Sequence, residues 1–341
     1  MLLCFMLMPA VAETVKPGEY LGAKTAETPQ WFKDSFLEFE EDVAEAAEQN
    51  KRVMLYFHQE GCPYCARLVD ENFNNPDIES YIRKNFDGIT INMWGDREIV
   101  SVGGKIFTEK TFAEALKVQY TPTLLFLNEQ GRVILRLNGY YPPDKFRQAL
   151  HYVAEKQERK LSFNEFMLAG QTSKTGSLIG EDFFSQETNL KSLLNSANKP
   201  LAVYFESADC AECDTLHTRV LTDAPTRQLV NDMLNVQLNV YSDAKITTLD
   251  GKQISQRNYA KQLNIGYTPS VVLFDQKGKE VHRMEGFLKT FHFQSSLAYV
   301  LEQAYKTQPS FQRYLSSRGE KLREQGYDTD IWGYKSSYPK N

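Results

Sequence analysis

Tyr56-Phe57-His58-Gln59-Glu60-Gly61-Cys62-Pro63-Tyr64-Cys65 decides how this chain is read, because its pattern returns as Tyr204-Phe205-Glu206-Ser207-Ala208-Asp209-Cys210-Ala211-Glu212-Cys213. In both copies an apolar run leads through four residues into Cys-x-x-Cys. Each pair is then followed by Tyr-Thr-Pro, at Tyr120-Thr121-Pro122 and Tyr267-Thr268-Pro269. The two spacings nearly coincide: 122 − 62 = 60 and 269 − 210 = 59. One Thr-Pro is an ordinary turn signal. Two at matched distances from two dithiols point to a repeated functional unit.

The repeat extends well beyond the cysteines. Val53-Met54-Leu55-Tyr56-Phe57 matches Leu201-Ala202-Val203-Tyr204-Phe205, and both read as buried strands. Ile89-Thr90-Ile91-Asn92 matches Val236-Gln237-Leu238-Asn239 as a second strand. After each Thr-Pro comes a third strand, Leu124–Leu127 or Val271–Phe274. A turn ending in Gly131 or Gly278 follows, then a returning strand. Gly139-Tyr140 and Gly286-Phe287 close the strands. Helices are expected over about Asp144–Lys156 and Thr290–Tyr305. A helix precedes each unit, with apolar stripes at Phe36, Phe39, Val43 and Ala47, and at Leu190, Leu193 and Leu194. The fold class expected is therefore α/β: two units in tandem, each a central mixed sheet with helices on both faces. The expected boundaries are 13–158 and 183–306, joined by a linker over 159–182 and followed by a tail over 307–341 that shows no clear period.

A strand running into Cys-x-x-Cys and a helix places the first cysteine at the helix N-terminus. Free backbone N–H groups and the helix dipole favour negative charge there, so the thiol is activated as thiolate. The second cysteine, one turn on, attacks the mixed disulfide that the first one forms. Cys62 and Cys210 are the expected nucleophiles, and Cys65 and Cys213 the resolving residues. Pro63 suits the first helical turn, and Tyr64 is expected to be exposed beside the sulfur, where it meets substrate. Thr121-Pro122 and Thr268-Pro269 are expected to be cis turns whose threonine backbone accepts a substrate as an added strand. Around Cys210 the acidic residues Glu206, Asp209 and Glu212 oppose a thiolate, so Cys210 is expected to be less acidic than Cys62.

The bulk numbers narrow the function further. The net charge of −5 leaves no basic footprint for nucleic acid. A zinc site wants four ligands close in sequence, whereas these pairs fall in separate units; no cofactor beyond the two disulfides is expected, and no metal. The histidines do not form a set. His217 follows Cys213 by one turn but is expected at the surface, and His151, His282 and His292 as surface or hydrogen-bonded residues. Residues 1–12 carry no charge and end in Ala10-Val11-Ala12, which reads as a secretory signal with a truncated start. Its removal leaves four cysteines, all in Cys-x-x-Cys pairs, and a periplasmic or otherwise exported protein is expected.

Each unit resembles a thioredoxin domain, and the first is similar to the SoxW-type periplasmic thioredoxins through Gly61–Cys65, Asp96–Lys105, Tyr120–Thr123 and Gly139–Pro143. The resemblance covers residues 31–158 strongly and 183–306 more weakly. It implies thiol–disulfide exchange with protein thiols and disulfides. If the chain acts as a reductase, it also implies a membrane electron donor of the CcdA or DsbD type. Thr before the proline is similar to the disulfide isomerases of the superfamily. Two departures affect rate and direction: the family's buried Asp is replaced by Tyr56 and Tyr204, and its Trp before the first cysteine by Gly61 and Asp209. The reading is an exported thiol:disulfide oxidoreductase with the reducing direction favoured. An oxidase or isomerase stands beside it, as does a peptide-binding module in which the second unit is redox-degenerate.

Overall fold

The computed structural model describes residues 16–25, 27–169 and 176–336. The expected signal segment lies outside them, as do residues 170–175 of the linker and 337–341 of the tail. A short β1 (Tyr20–Leu21) precedes the first unit. That unit runs α1 (Phe39–Glu48), β2 (Arg52–His58), α2 (Pro63–Leu68), α3 (Pro76–Asn85), β3 (Phe86–Asn92), β4 (Glu98–Val100), β5 (Ile106–Thr108), α4 (Glu109–Ala115), β6 (Thr123–Leu127), β7 (Val133–Asn138) and α5 (Pro143–Ala154). After α6 (Phe163–Ala169) the order repeats. It runs α7 (Leu190–Ser196), β8 (Leu201–Glu206), α8 (Ala211–Thr215), α9 (Ala224–Asn231), β9 (Leu234–Asn239), β10 (Lys245–Thr247), β11 (Gln253–Ser255), α10 (Gln256–Gln262), β12 (Ser270–Phe274), β13 (Glu280–Glu285) and α11 (Thr290–Leu301). The chain then forms α12 (Phe311–Glu324) and β14 (Thr329–Asp330).

Each unit has one four-stranded sheet, ordered β3-β2-β6-β7 and β9-β8-β12-β13. The first pair in each order is parallel and the rest are antiparallel. Central position explains why β2 and β8 read as unbroken apolar runs: both faces of each strand are covered. Alternate residues divide between two cores. Val53, Leu55 and Phe57 join Phe39, Val43 and Phe112 on the outer face. Met54 and Tyr56 face the other way, in a cluster that continues without interruption into Tyr204, Leu273, Leu297 and Phe311. The inner cores of the two units are thus one core.

The structure differs from the sequence expectation in several places. Phe36 lies outside α1 and is 96% exposed; the buried stripe is Phe39, Val43 and Ala46, and Ala47 is half-buried. The small hairpins β4–β5 and β10–β11 add to the expected strands. Within the expected linker, α6 sets Phe163 and Phe166 against Tyr152, and Asn164 donates to the Lys261 carbonyl at 3.2 Å. Within the expected tail, α12 buries Phe311, Tyr314 and Leu315. Phe311, Tyr314, Leu315 and Gly319 stand at helical spacing and form the buried face of α12. β14 then pairs in parallel with β1, bringing the two ends of the described chain together. Gly18 is required at that junction: a Cβ would stand 1.9 Å from the Tyr327 carbonyl oxygen.

Candidate active site

Both cysteine pairs are disulfides in the structure, and each spans the first turn of a helix that follows the central strand. Gly61, at φ +68°, turns the chain out of β2 so that Cys62 becomes the N-cap of α2. The backbone N–H of Cys65 donates to Cys62 Sγ at 3.0 Å, and that of Cys213 to Cys210 Sγ at 3.1 Å. A charge-stabilising donor is therefore already aimed at each first sulfur, which is what lowering a thiol pKa requires. The second cysteine of each pair is the more enclosed: Cys65 is 1% exposed against 4% for Cys62, and Cys213 3% against 7% for Cys210. The Thr121–Pro122 and Thr268–Pro269 bonds are cis. Cys62 Sγ lies 3.6 Å from the carbonyl oxygen of Thr121, so that dithiol and its proline turn are adjacent. Thr121, Pro122 and Pro269 are buried, whereas Thr268 is half-buried with its hydroxyl 3.3 Å from that of Ser207.

Tyr64 requires a correction. It is 5% exposed, not a solvent-facing neighbour of the sulfur, and Pro63 is buried with it. Its hydroxyl accepts the backbone N–H of Lys289 at 2.8 Å, and its ring meets His292 and Trp332 edge-on at 5.1 and 5.0 Å. The second unit and the C-terminal segment cover the first dithiol. At Cys210 the motif is more open: Asp209, Ala211 and Asp214 are exposed. Glu212 and Asp214 place negative charge in the first turn of α8.

His217 is also corrected. It is 2% exposed and clamped between two carboxylates, with Nδ1 3.0 Å from Glu181 and Nε2 3.0 Å from Glu206. Burial opposes its protonation, but the hydrogen bonds and charges of Glu206 and Glu181 outweigh that, and its pKa is raised. His282 and His292 are buried too, and burial holds them neutral down to about 3 and about 4. His282 contacts the Tyr120 hydroxyl at 2.6 Å, whereas Nδ1 of His292 has no hydrogen-bond partner. Tyr56 and Tyr204 lie deep in the core, where burial raises both phenols. Neither is a base near neutral pH.

Sequence reasoning missed the covering residues. The helix α11 was expected, and its burial had a signal: Thr290–Leu301 contains no Asp, Glu, Lys or Arg and so lacks the charged face of a surface helix. Gln59 had no such signal. It takes the Trp94 indole N–H at 2.7 Å and donates to Gln312 of α12 at 3.0 Å. Among the described residues no cluster suited to a metal ion occurs, and no helix is long and apolar enough to cross a membrane.

Comparison with known proteins matches the thioredoxin-like domain family twice, over residues 39–154 and 189–301. No curated protein matches. Among solved structures, a thioredoxin-fold protein from Helicobacter pylori is 19% identical, over 42% of this chain and 93% of its own, with a TM-score of 0.34. The DsbH oxidoreductase is 12% identical over 39% and 94%, with a TM-score of 0.27. The reduced C-terminal domain of Neisseria meningitidis DsbD is 15% identical over 34% and 93%, also with a TM-score of 0.27. The two family matches identify the family and not the SoxW-type subgroup.

Proposed function

The chain belongs to the thioredoxin-like family, and from that premise we propose that it is an exported thiol:disulfide oxidoreductase working in the reducing direction. One observation carries the reading: in both units the second cysteine's N–H is directed at the first cysteine's sulfur, at 3.0 and 3.1 Å. In the reduced protein that sulfur, as thiolate, attacks a substrate disulfide. One substrate thiolate leaves, and a mixed disulfide remains. The second cysteine loses its proton and attacks the first, the enzyme disulfide closes, and the second substrate thiolate leaves. Two electrons pass to the substrate.

Protein substrates meet the more open Cys210 face, where Asp209 and Ala211 are exposed and Pro269 closes a cis turn. The uncharged segment Met1–Ala12 supports export to the periplasm. The family resemblance supports a membrane electron donor of the CcdA or DsbD type. A second reading is favoured by the acidic turn Glu212–Asp214: the second unit binds extended peptides without turnover.

The test is disulfide reduction driven by dithiothreitol. Turnover is expected in the full chain and is expected to be lost when Cys62 and Cys210 are both changed to serine. Undiminished turnover in that variant would refute the assignment. If Cys210→Ser alone keeps full activity on insulin, the binding reading of the second unit gains.

A further inference from the structure

The first dithiol opens into a cleft that reaches solvent. The cleft encloses about 560 Å³ between the two units and α12. Cys62, Thr121 and His292 line it within, and Glu60, Glu320 and Arg323 line it nearer solvent. Glu60 and Glu320 are exposed and Arg323 is half-buried, with its Nε donating to the Gly18 carbonyl at 3.0 Å. Among the described residues none of these three forms an ion pair. His292 adds a buried ring nitrogen without a partner.

α12 and the second unit crowd the residues just before the proline turn. The Phe311 N–H donates to Gln119 Oε1 at 2.8 Å, and Gln312 Nε2 donates to the Gln119 carbonyl at 3.2 Å. The Tyr120 hydroxyl donates across to the Arg283 carbonyl at 2.7 Å. An added strand needs a lane about 4.8 Å to the side over several residues, and residues 119–120 have no such lane. The cleft volume instead falls within the roughly 300–1,000 Å³ of small-molecule sites.

Resting on the exchange reading above, we infer that the Cys62–Cys65 pair acts on low-molecular-weight zwitterionic disulfides, of amino-acid to short-peptide size, and not on protein strands. Arg323 receives the substrate carboxylate, and Glu60 and Glu320 attract its ammonium groups. Cys62 thiolate attacks one sulfur of the small disulfide and expels one small thiolate. Cys65 then closes the enzyme disulfide and expels the second, so the disulfide is reduced to two thiols and the pair is oxidised.

The test uses the full chain with Cys210→Ser and Cys213→Ser, so that only the first pair reacts. The protein is reduced, freed of reductant and mixed with cystine, hydroxyethyl disulfide or insulin. Oxidation of Cys62 and Cys65 is followed by mass after alkylation, and each rate is divided by that of dithiothreitol with the same disulfide. Cystine is expected to exceed insulin at least tenfold on this scale. Arg323→Ala is expected to slow cystine several-fold, to leave uncharged hydroxyethyl disulfide unchanged, and to be partly rescued by Arg323→Lys. Insulin reacting as well as cystine would overturn the inference, as would Arg323→Ala having no effect on cystine or slowing both small disulfides equally. If no disulfide oxidises the pair, the exchange reading fails for the first unit, and this inference with it.

Discussion

Asn138 donates its side-chain amide to Glu285 Oε2 at 2.8 Å, and these two residues hold the same position in the two halves of the chain, each just before the glycine that closes the strands. Equivalent surfaces therefore meet, as in an isologous dimer folded into one chain. Nearby, Tyr141 of the first unit lies 5.0 Å from the Tyr267 ring beside the second proline turn. Tyr64 of the first motif reaches Lys289, just before α11 of the second unit. Through these contacts the second unit covers the face that carries the first dithiol.

The hydroxyl of Tyr64 is one thread of that closure. Tyr64→Phe removes the acceptor of the Lys289 N–H and is expected to destabilise the chain by about 1 kcal/mol. Urea unfolding measures it, and no change in midpoint would show that the contact is idle.

Phe311 is the main anchor of α12 and is fully buried. Phe311→Ala is expected to cost about 3–5 kcal/mol and to free α12 from the cleft over Cys62. Urea unfolding and alkylation of reduced Cys62 are the two readouts. A loss below about 1 kcal/mol would mean that the helix is not held by this residue.

The thiols should differ. In full-chain variants that each keep a single cysteine, Cys62 or Cys210, thiolate absorbance against pH is expected to give the lower pKa to Cys62. The Cys210 turn carries Glu212 and Asp214, whereas the first turn of α2 carries no acid. The reverse order would contradict this.

His217 has a raised pKa in the fold, with two carboxylates as its partners. The folded chain then holds a proton that the unfolded chain releases near its ordinary value of about 6.5. The stabilisation is complete below that value and is lost as pH rises through the raised folded value. The difference in Tm between the protein and His217→Gln should therefore shrink as pH increases. A difference that grows with pH would disprove the clamp as a charged pair.

His282 and His292 act in the opposite sense. Burial keeps them neutral to about 3 and about 4. Between about 6.5 and about 4 the unfolded chain takes up protons that the folded chain refuses, so stability falls with pH across that window. His282→Gln is expected to flatten the fall. An unchanged slope would place the acid sensitivity elsewhere.

Much of this molecule was legible as pattern. Short apolar runs, Gly-bounded turns and the doubled Cys-x-x-Cys with its Thr-Pro depend on local preferences and short spacings, and these specify the eight sheet strands and both dithiols. The hidden parts depend on which surfaces meet. Tyr64 looks like an exposed residue until Lys289 and Trp332 cover it, and His217 looks like a surface residue until Glu181 and Glu206 close around it. α12 carries its buried residues, Phe311, Tyr314, Leu315 and Gly319, at helical spacing, but what that face covers is set by Tyr299 and by Tyr120 and His282, far away in sequence. Local sequence determines where a thiol stands on its helix, since that is a matter of backbone geometry within a few residues. Whether a substrate strand can reach the thiol was decided only by tertiary structure, because the covering residues come from parts of the chain hundreds of positions away.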